Sequence, residues 1–286
     1  MPFSQLALAL LVPLLWGLGF VFAKAGLSEF PPLLLMGMRF CLTAIILLPF
    51  VKMPRGHLIW IAALAFIGST IQYGLTFTGL KHMDASLAII VVQLEVPFGV
   101  IMGALLFREH VGWQKILGIL LAFAGVALIA GMPEKETALW PALLVVGGAF
   151  TWAVSQIMVK QMKGAVNGFT LIAWVGLFAG PQMLLGSFLF EQGQWEAVQT
   201  ATWIGWSTVV YLAVMMTAIG YSIWFHVLNH NPVTQVMPVL LLLPVVGVIG
   251  SVVILGEKPG FMTLVGGLIV ILGVSLIIFT RERSRG

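Results

Sequence analysis

The chain has 286 residues, of which 60% are hydrophobic and only 8% are charged, and its formal net charge is +4. Ordinary soluble domains are about 25% charged, so this composition excludes a soluble protein and predicts an integral membrane protein. The basic residues form no patch, so no nucleic-acid partner is expected. The single cysteine, Cys41, excludes both a disulfide framework and a cysteine-rich metal site.

Ten apolar stretches fill almost the whole chain. A hydrocarbon core of about 30 Å needs roughly 20 helical residues per crossing. Continuous apolar runs favour helices over barrel strands, in which apolar and polar residues alternate. No Lys or Arg precedes the first stretch, so we interpret it as a retained helix and not as a signal peptide. The sequence therefore predicts an all-α membrane protein with ten transmembrane helices, at residues 4–26, 31–51, 57–80, 84–107, 112–131, 139–160, 167–190, 202–227, 233–255 and 260–279.

The positive charges predict the orientation of these helices. Basic residues accumulate in cytoplasmic connections. Alternate connections and the C-terminal tail hold nine Lys and Arg residues on one side and four on the other, so both termini are expected in the cytoplasm. The nine are Lys52, Arg55, Arg108, Lys115, Lys160, Lys163, Arg281, Arg283 and Arg285, and the four are Lys24, Lys81, Lys135 and Lys258.

The two halves of the chain repeat each other. The predicted halves, 1–131 and 139–280, contain five spans each, so the second half enters the membrane from the opposite side and the repeat is inverted. A shift of 148 residues pairs Tyr73 with Tyr221, Leu80 with Leu228, His82 with His230, Gly99 with Gly247, Glu109 with Glu257, Gly112 with Gly260, Gly118 with Gly266 and Gly125 with Gly273. A shift of 136 residues pairs Trp16 with Trp152 and Lys24 with Lys160.

The best-matched block surrounds the connection between the fourth and fifth helices of each half, at residues 106–129 and 254–277. In both copies a Glu, Glu109 or Glu257, follows the fourth helix, and a Gly opens the fifth. The fifth helix is rich in Gly and carries a Gly-Val pair near its end. A carboxylate in this position is expected to stabilise the N-terminus of the helix that follows it.

Over essentially its whole length the chain resembles the EamA-type members of the drug/metabolite transporter superfamily. The arrangement of Trp16, Tyr73 and Tyr221 is most similar to the amino-acid exporters of that family. The resemblance implies a helix bundle around a central cavity, alternating access, and export of small metabolites across a bacterial inner membrane. Amino acids or similar small zwitterions are the expected substrates, and a broader drug or metabolite exporter is the alternative. Coupling to protons and the oligomeric state stay open.

Two ionisable residues, Arg39 and Glu95, lie inside predicted spans at depths that differ by only about 4 to 5 Å. An ionisable group there costs several kcal/mol unless it faces the bundle interior and finds a partner. In one interpretation the two side chains pair and hold their helices together. In the other, one or both line the cavity, where Glu95 receives a substrate ammonium or a coupling proton.

Uncharged polar residues lie at similar depth. Gln72 and Thr76 are four residues apart and share a helical face, Tyr73 lies beside them, and Gln93 belongs to the fourth span. Amide and hydroxyl groups can hydrogen-bond a substrate without the full cost of a buried charge. They can equally form interhelical hydrogen bonds, and the sequence does not separate these roles.

Deep aromatic residues are further candidates for substrate contact. Trp16, and Trp152 with Gln156 one turn later, lie too deep for an interfacial aromatic belt. They can accept an ammonium by cation–π contact or an apolar side chain by stacking, or can serve core packing alone. Tyr73 and Tyr221 are expected near opposite ends of the pathway, which suggests two gates.

Two prolines, Pro97 and Pro244, occupy nearly equivalent mid-span positions and predict kinks, because a helical Pro removes one backbone hydrogen bond.

Motifs for other chemistry are absent: the sequence contains no GxxxxGK[ST], HExxH or GxSxG. No enzyme, ATP coupling, metal or cofactor is therefore predicted. A membrane enzyme or receptor is disfavoured, because the longest connection, 191–201, is too short for a domain.

Overall fold

The computed structural model describes residues 2–107, 111–130, 139–162, 164–231 and 236–279, and within these ranges the chain is helical without strands. Each predicted apolar stretch contains a helix. These are α1 (Phe3–Gly26), α2 (Pro32–Leu47), α3 (Leu58–Lys81), α4 (Ala85–Val92 and Glu95–Phe107), α5 (Trp113–Ala130), α6 (Leu139–Gln161), α7 (Gly168–Phe190), α8 (Trp203–Val210, Tyr211–Ile219 and Gly220–His230), α9 (Met237–Leu241 and Leu242–Leu255) and α10 (Phe261–Phe279). A short helix, Gln194–Thr200, precedes α8.

The outside of the bundle is apolar. Among the described residues, eight helices are long and apolar enough to cross a membrane, whereas the apolar parts of α5 and α9, Trp113–Ile129 and Val239–Leu255, are shorter. Large side chains such as Phe188, Trp203 and Val253 are exposed over most of their surface. A soluble protein rarely exposes so large an apolar surface, and the chain is a multi-pass membrane protein.

Four helices are irregular in corresponding places. A π-helical segment interrupts α3 at Phe66–Ile71, and another interrupts α8 at Tyr211–Ile219. The shift of 148 residues places the first segment on 214–219, inside the second. In the same way, the break in α4 at Gln93 and Leu94 corresponds to the end of the 3-10 turn that opens α9. Such irregular turns are common at functional sites.

Pro97 explains the break in α4, at the place where a kink was predicted. Its ring would meet the carbonyl of Gln93, four residues earlier, and its nitrogen has no hydrogen to donate. The Gln93 carbonyl accepts instead from the N–H group of Val96, only three residues later, at 3.2 Å. The N–H groups of Gln93 and Leu94 likewise donate to carbonyls three residues back, at 3.1 Å each. In α9, Pro244 follows the 3-10 turn Met237–Leu241, where the helix changes type.

Glycines bring α5 and α10 into close contact. A Cβ atom on Gly118 would lie 2.5 Å from the carbonyl oxygen of Gly273, and one on Gly125 would lie 2.7 Å from that of Gly266. Both obstacles are backbone atoms, which cannot rotate away. The small residues therefore allow the two backbones to approach as membrane helices often do.

We expect Gly118→Ala to destabilise the protein by about 1–3 kcal/mol, the usual range for overpacking. Gly99→Ala is the matched control, because a Cβ atom there meets nothing within 4 Å. Thermal unfolding in detergent compares the two variants. Equal unfolding temperatures for Gly118→Ala and Gly99→Ala would contradict the close contact of α5 with α10.

Three carboxylates hold together the end of the bundle where α1 finishes, which we call the Lys24 end. Each accepts backbone N–H groups at the start of a helix in the other half of the chain, where orphan donors and the positive helix dipole favour an anion. Glu29 accepts from Thr202 before α8 (2.7 Å), Glu191 from Leu33 and Leu34 in α2 (2.8 and 3.2 Å), and Glu257 from Ala85 and Ser86 in α4 (2.6 and 3.0 Å). We call them the three carboxylate caps.

The expectation that Glu257 stabilises the helix following it was wrong, because its carboxylate binds the start of α4 in the other half. Its counterpart Glu109 lies outside the described residues. Lys24 complements these caps by donating from Nζ to the carbonyl oxygens of Leu80, Lys81 and Met83, at 2.9, 3.0 and 2.8 Å. A cation at the C-terminus of α3 opposes the negative end of the helix dipole.

His82 also lies at this end, directly after α3, as expected of a helix-end residue. Its ring contacts Trp140 with the centroids 4.7 Å apart. Partial burial, with Lys81 and Lys24 nearby, lowers the pKa of His82 from its ordinary value. The imidazole is therefore less readily protonated than a free histidine.

Candidate functional site

An aromatic cluster begins where α1 meets α8. The ring centroid of Trp16 lies 4.8 Å from that of Tyr221 and 5.7 Å from that of Trp224. Its indole Nε1 donates to the carbonyl oxygen of Met216, at 3.0 Å, in the π-helical segment of α8. A Cβ atom on Gly220 would lie 2.6 Å from that nitrogen, so the glycine makes room for the indole. Trp16 is therefore fixed in place by α8.

The cluster continues on α3. Tyr73 stacks on Phe77, one helical turn later, with the centroids 5.5 Å apart, and meets the edge of Phe40 at 5.2 Å. Phe77 stacks in turn on Phe20 of α1 at 5.8 Å. The side chains of Tyr73 and Tyr221 are close enough to interact. The two tyrosines thus meet each other, and the expectation that they form separate gates at opposite ends was wrong.

Arg39 lies against this cluster and has no exposed surface. Its Nε donates to Thr217 Oγ1 at 3.0 Å, and its guanidinium carbon lies 4.7 Å from the ring centroid of Tyr73 and 5.1 Å from that of Phe40. Within the described part of the chain, Nη2 has no hydrogen-bond acceptor. Leaving a buried polar donor unpaired costs about 1–3 kcal/mol, and more for a charged group.

The ion-pair interpretation of Arg39 and Glu95 was wrong, because no salt bridge joins them in the described ranges and Thr217 ties Arg39 to α8 instead. Glu95 is the first residue after the break in α4. Its side chain is partly exposed although Gln93 and Leu94 before it are buried, and it is close enough to Tyr221 to interact electrostatically. Glu95 therefore lies within electrostatic range of the aromatic cluster.

The remaining predicted site residues fall into two groups. Gln72 and Thr76 are buried, and Thr76 contacts α6 where Gly148 leaves space, so this pair packs between α3 and α6. The Nε2 of Gln72 reaches Thr76 Oγ1 only at 3.5 Å, and Gln72 Oε1 has no hydrogen-bond partner in the described residues.

On α6, Trp152 is partly buried and Gln156 is exposed. In the described parts of the chain, neither residue forms a ring contact or a hydrogen bond with Trp16 or Arg39. The structure therefore brings Trp16, Arg39 and Tyr73 together with Tyr221 and Glu95. The other predicted residues lie elsewhere: Gln93 at the helix break, Trp152 and Gln156 on α6, and Gln72 and Thr76 at the interface of α3 with α6.

Sequence reasoning missed Thr217, the hydrogen-bond partner of Arg39, and the aromatic residues Phe77 and Trp224. Signals for all three were present. Thr217 falls on Ser69 under the shift of 148 residues, and both are buried polar residues in π-helical segments. Phe77 lies four residues after Tyr73, and Trp224 lies three residues after Tyr221, so each shares a helical face with a predicted site residue.

Comparison with known proteins identifies the family. The sequence pattern of the EamA-like transporter family matches residues 4–131 and again residues 139–279. The chain belongs to the EamA-like transporter family. EamA-like proteins are transporters and not enzymes, so this chain is a membrane transporter.

Relatives of this EamA-like chain carry more specific names. It is 34% identical over 283 residues to the probable amino-acid metabolite efflux pump of Salmonella typhimurium (strain LT2), with 95% of this chain and 94% of that protein covered. The protein of the same name from Escherichia coli (strain K12) is 30% identical, with 95% and 94% covered. A probable terminal-alkyne amino-acid exporter of Streptantibioticus cattleyicolor is 28% identical, with 79% and 75% covered. A crystal structure that is 19% identical superposes with a TM-score of 0.67 over 96% of both chains, which shows a shared fold.

Proposed function

We propose that this EamA-like chain is a secondary transporter that exports amino acids and related small metabolites across a bacterial inner membrane. Ten spans form two inverted five-helix halves, 1–131 and 139–280, with both termini in the cytoplasm. The substrate crosses by alternating access through a cavity between the halves. The efflux-pump relatives support the substrate class and the direction, and the positive charges support the orientation.

The packing of α5 against α10 supports the inverted repeat. The shift of 148 residues relates Gly118 to Gly266 and Gly125 to Gly273. Gly118 contacts Gly273, and Gly125 contacts Gly266, so each glycine meets the counterpart of the other. A two-fold axis between two antiparallel helices produces this crossed pattern. The corresponding irregular turns in α3 and α8, and in α4 and α9, are the interrupted helix pairs typical of transporter binding sites.

One observation carries the function most directly, namely that charged and aromatic side chains converge where irregular helices of the two halves meet. We propose Trp16, Arg39, Tyr73, Glu95 and Tyr221 as the substrate-binding residues. The aromatic faces suit an apolar side chain or an ammonium group, and Glu95 offers a carboxylate to an ammonium or a proton. We also propose that Gln93, which lies at the helix break two residues before Glu95, borders this site. A role for Trp152 and Gln156 in binding rests on the sequence alone, because they lie on α6 and not in the aromatic cluster.

Flux into proteoliposomes tests this proposal. A panel of labelled amino acids is offered with and without a pH gradient, and saturable, protein-dependent uptake is expected. We expect Glu95→Gln to lower this flux at least about tenfold, the effect of losing one charged contact of about 1.4 kcal/mol. A response of wild-type flux to the gradient would indicate proton coupling.

The matched control is Glu196→Gln, which changes an exposed carboxylate on the short helix Gln194–Thr200 and should leave flux unchanged. Wild-type flux in Glu95→Gln would reject a role for Glu95 in substrate or proton binding. The absence of flux for every amino acid, in protein shown to be folded, would overturn the substrate class and favour a broader drug or metabolite exporter.

A further inference from the structure

The guanidinium of Arg39 is a buried cation with one free edge. Its Nε is occupied by Thr217 Oγ1, and Nη1 faces the sulfur of Met36 at 3.7 Å, a weak acceptor. Tyr73 and Phe40 contact its faces. The described residues provide no acceptor for Nη2, although no part of Arg39 is exposed. The protein therefore provides rings against the faces of the guanidinium and an acceptor for Nε, and it leaves Nη2 without a hydrogen-bond acceptor among the described residues.

A purely structural role does not explain this arrangement. Arg39 contributes one hydrogen bond to the contact between α2 and α8, from Nε to Thr217, and Thr43 contributes another to the carbonyl of Ala213. An uncharged side chain could supply the bond to Thr217 without burying a cation. Ring faces stabilise a guanidinium from above and below but accept no hydrogen bond in its plane. The ligand that matches a guanidinium edge is a carboxylate, whose two oxygens lie in one plane at the right spacing.

Tyr73 covers one face of this guanidinium, with its ring centroid 4.7 Å from the guanidinium carbon. Arg39 is fully buried, whereas Tyr73 and Tyr221 are both partly exposed and close enough to interact. Tyr73 lies two residues after the π-helical segment Phe66–Ile71, where the backbone departs from regular hydrogen bonding. A small rotation at this segment would move the Tyr73 ring and expose the guanidinium.

We propose that Arg39 binds the carboxylate of the transported molecule through Nη2, with Tyr73 as the cover that moves aside. This inference rests on the proposed export of amino acids and narrows its substrate class. The transporter requires a carboxylate, and the corresponding amides, esters and decarboxylated amines are poor substrates even when their side chain and amino group are identical.

Competition in proteoliposomes tests the inference. The labelled probe is the amino acid of the panel with the largest flux, and the competitors are that amino acid unlabelled, its primary amide and its decarboxylated amine. With wild-type protein, we expect the amide and the amine to compete roughly 10- to 100-fold more weakly than the acid. In Arg39→Gln the acid should lose that advantage, while competition by the amide stays unchanged.

Arg39→Lys and Thr217→Val complete the experiment. Lysine keeps the charge without the planar edge, so the preference for the acid should fall but not vanish. Thr217→Val removes the partner of Nε and leaves Nη2 in place, so the preference for the acid should persist. If Arg39→Gln fails to fold, the wild-type competition and Arg39→Lys still decide the question.

Two results would overturn the inference while leaving amino-acid export intact. One is an amide that competes with wild-type protein as well as the acid does. The other is an Arg39→Gln or Arg39→Lys variant that weakens acid and amide equally, which a structural role would produce. The absence of flux for every amino acid would instead overturn the proposed function itself, and this inference with it.

Discussion

Replacing Glu257 with alanine is expected to loosen the Lys24 end of the bundle and to destabilise the protein by about 1–3 kcal/mol. The carboxylate accepts from the backbone N–H groups of Ala85 and Ser86 and from the Ser86 hydroxyl, at 2.6, 3.0 and 2.6 Å. Alanine leaves these donors and the positive dipole of α4 without an anion. Glu257 lies in the second half of the chain and α4 in the first half, so the variant also removes one of the three carboxylate caps that join the halves.

Hydrogen exchange measured by mass spectrometry checks this expectation. Exchange of the amides in residues 84–92 should accelerate about tenfold or more in Glu257→Ala, since 1.4 kcal/mol corresponds to a factor of ten. Glu196→Ala removes an exposed carboxylate at the same end and should leave that exchange unchanged. Equal protection of residues 84–92 in both variants would show that Glu257 does not hold α4.

The three carboxylate caps also bear on alternating access. Each of them joins the two halves at the Lys24 end, which the charge count predicts to be outside. If the halves separate there to release substrate, the caps must break in each cycle. Glu29, Glu191 and Glu257 would then each stabilise the conformation in which the two halves are in contact at the Lys24 end.

The positions of the helices could be predicted well from the sequence, because each depends on a local property. An apolar stretch of about 20 residues identifies a membrane helix from its composition alone. The break in α4 was equally accessible, since Pro97 disturbs its own helix four residues upstream. The π-helical segments were not predicted, because they reflect how neighbouring helices pack and carry no residue signature.

Contacts between distant residues could not be predicted in the same way. Glu257 and Ala85 are 172 positions apart, and Arg39 and Thr217 are 178 apart. Depth along a helix suggested that Arg39 and Glu95 were neighbours, but depth does not specify the direction in which a side chain points around its axis. Internal symmetry predicted that Tyr73 and Tyr221 are related, yet it could not show that they meet.

Replacing Pro97 with alanine is expected to make α4 continuous and to lower amino-acid flux at least about tenfold, equivalent to about 1.4 kcal/mol. Alanine restores an N–H group that can donate to the carbonyl of Gln93, and no ring opposes it. Stability should be unchanged or higher, because a proline in a helix interior costs about 3 kcal/mol. Glu95, directly after the break, would turn with the straightened helix and leave its place beside Tyr221.

Flux into proteoliposomes and thermal unfolding, measured on the same preparations, separate these effects. Pro181→Ala is the matched control, because Pro181 lies inside the continuous helix α7 and away from any break. Hydrogen exchange on the same variant shows whether α4 has become continuous. If α4 is continuous in Pro97→Ala and its flux equals that of the wild type, the break has no part in transport.

The equivalent change in α9, Pro244→Ala, then tests whether the two halves act together. Pro244 follows the 3-10 turn that corresponds to the break in α4. If both breaks serve one conformational step, either single variant blocks that step and the double variant loses little further flux. If the breaks act independently, their effects on the free energy of activation add, and flux in the double variant falls by the product of the two reductions.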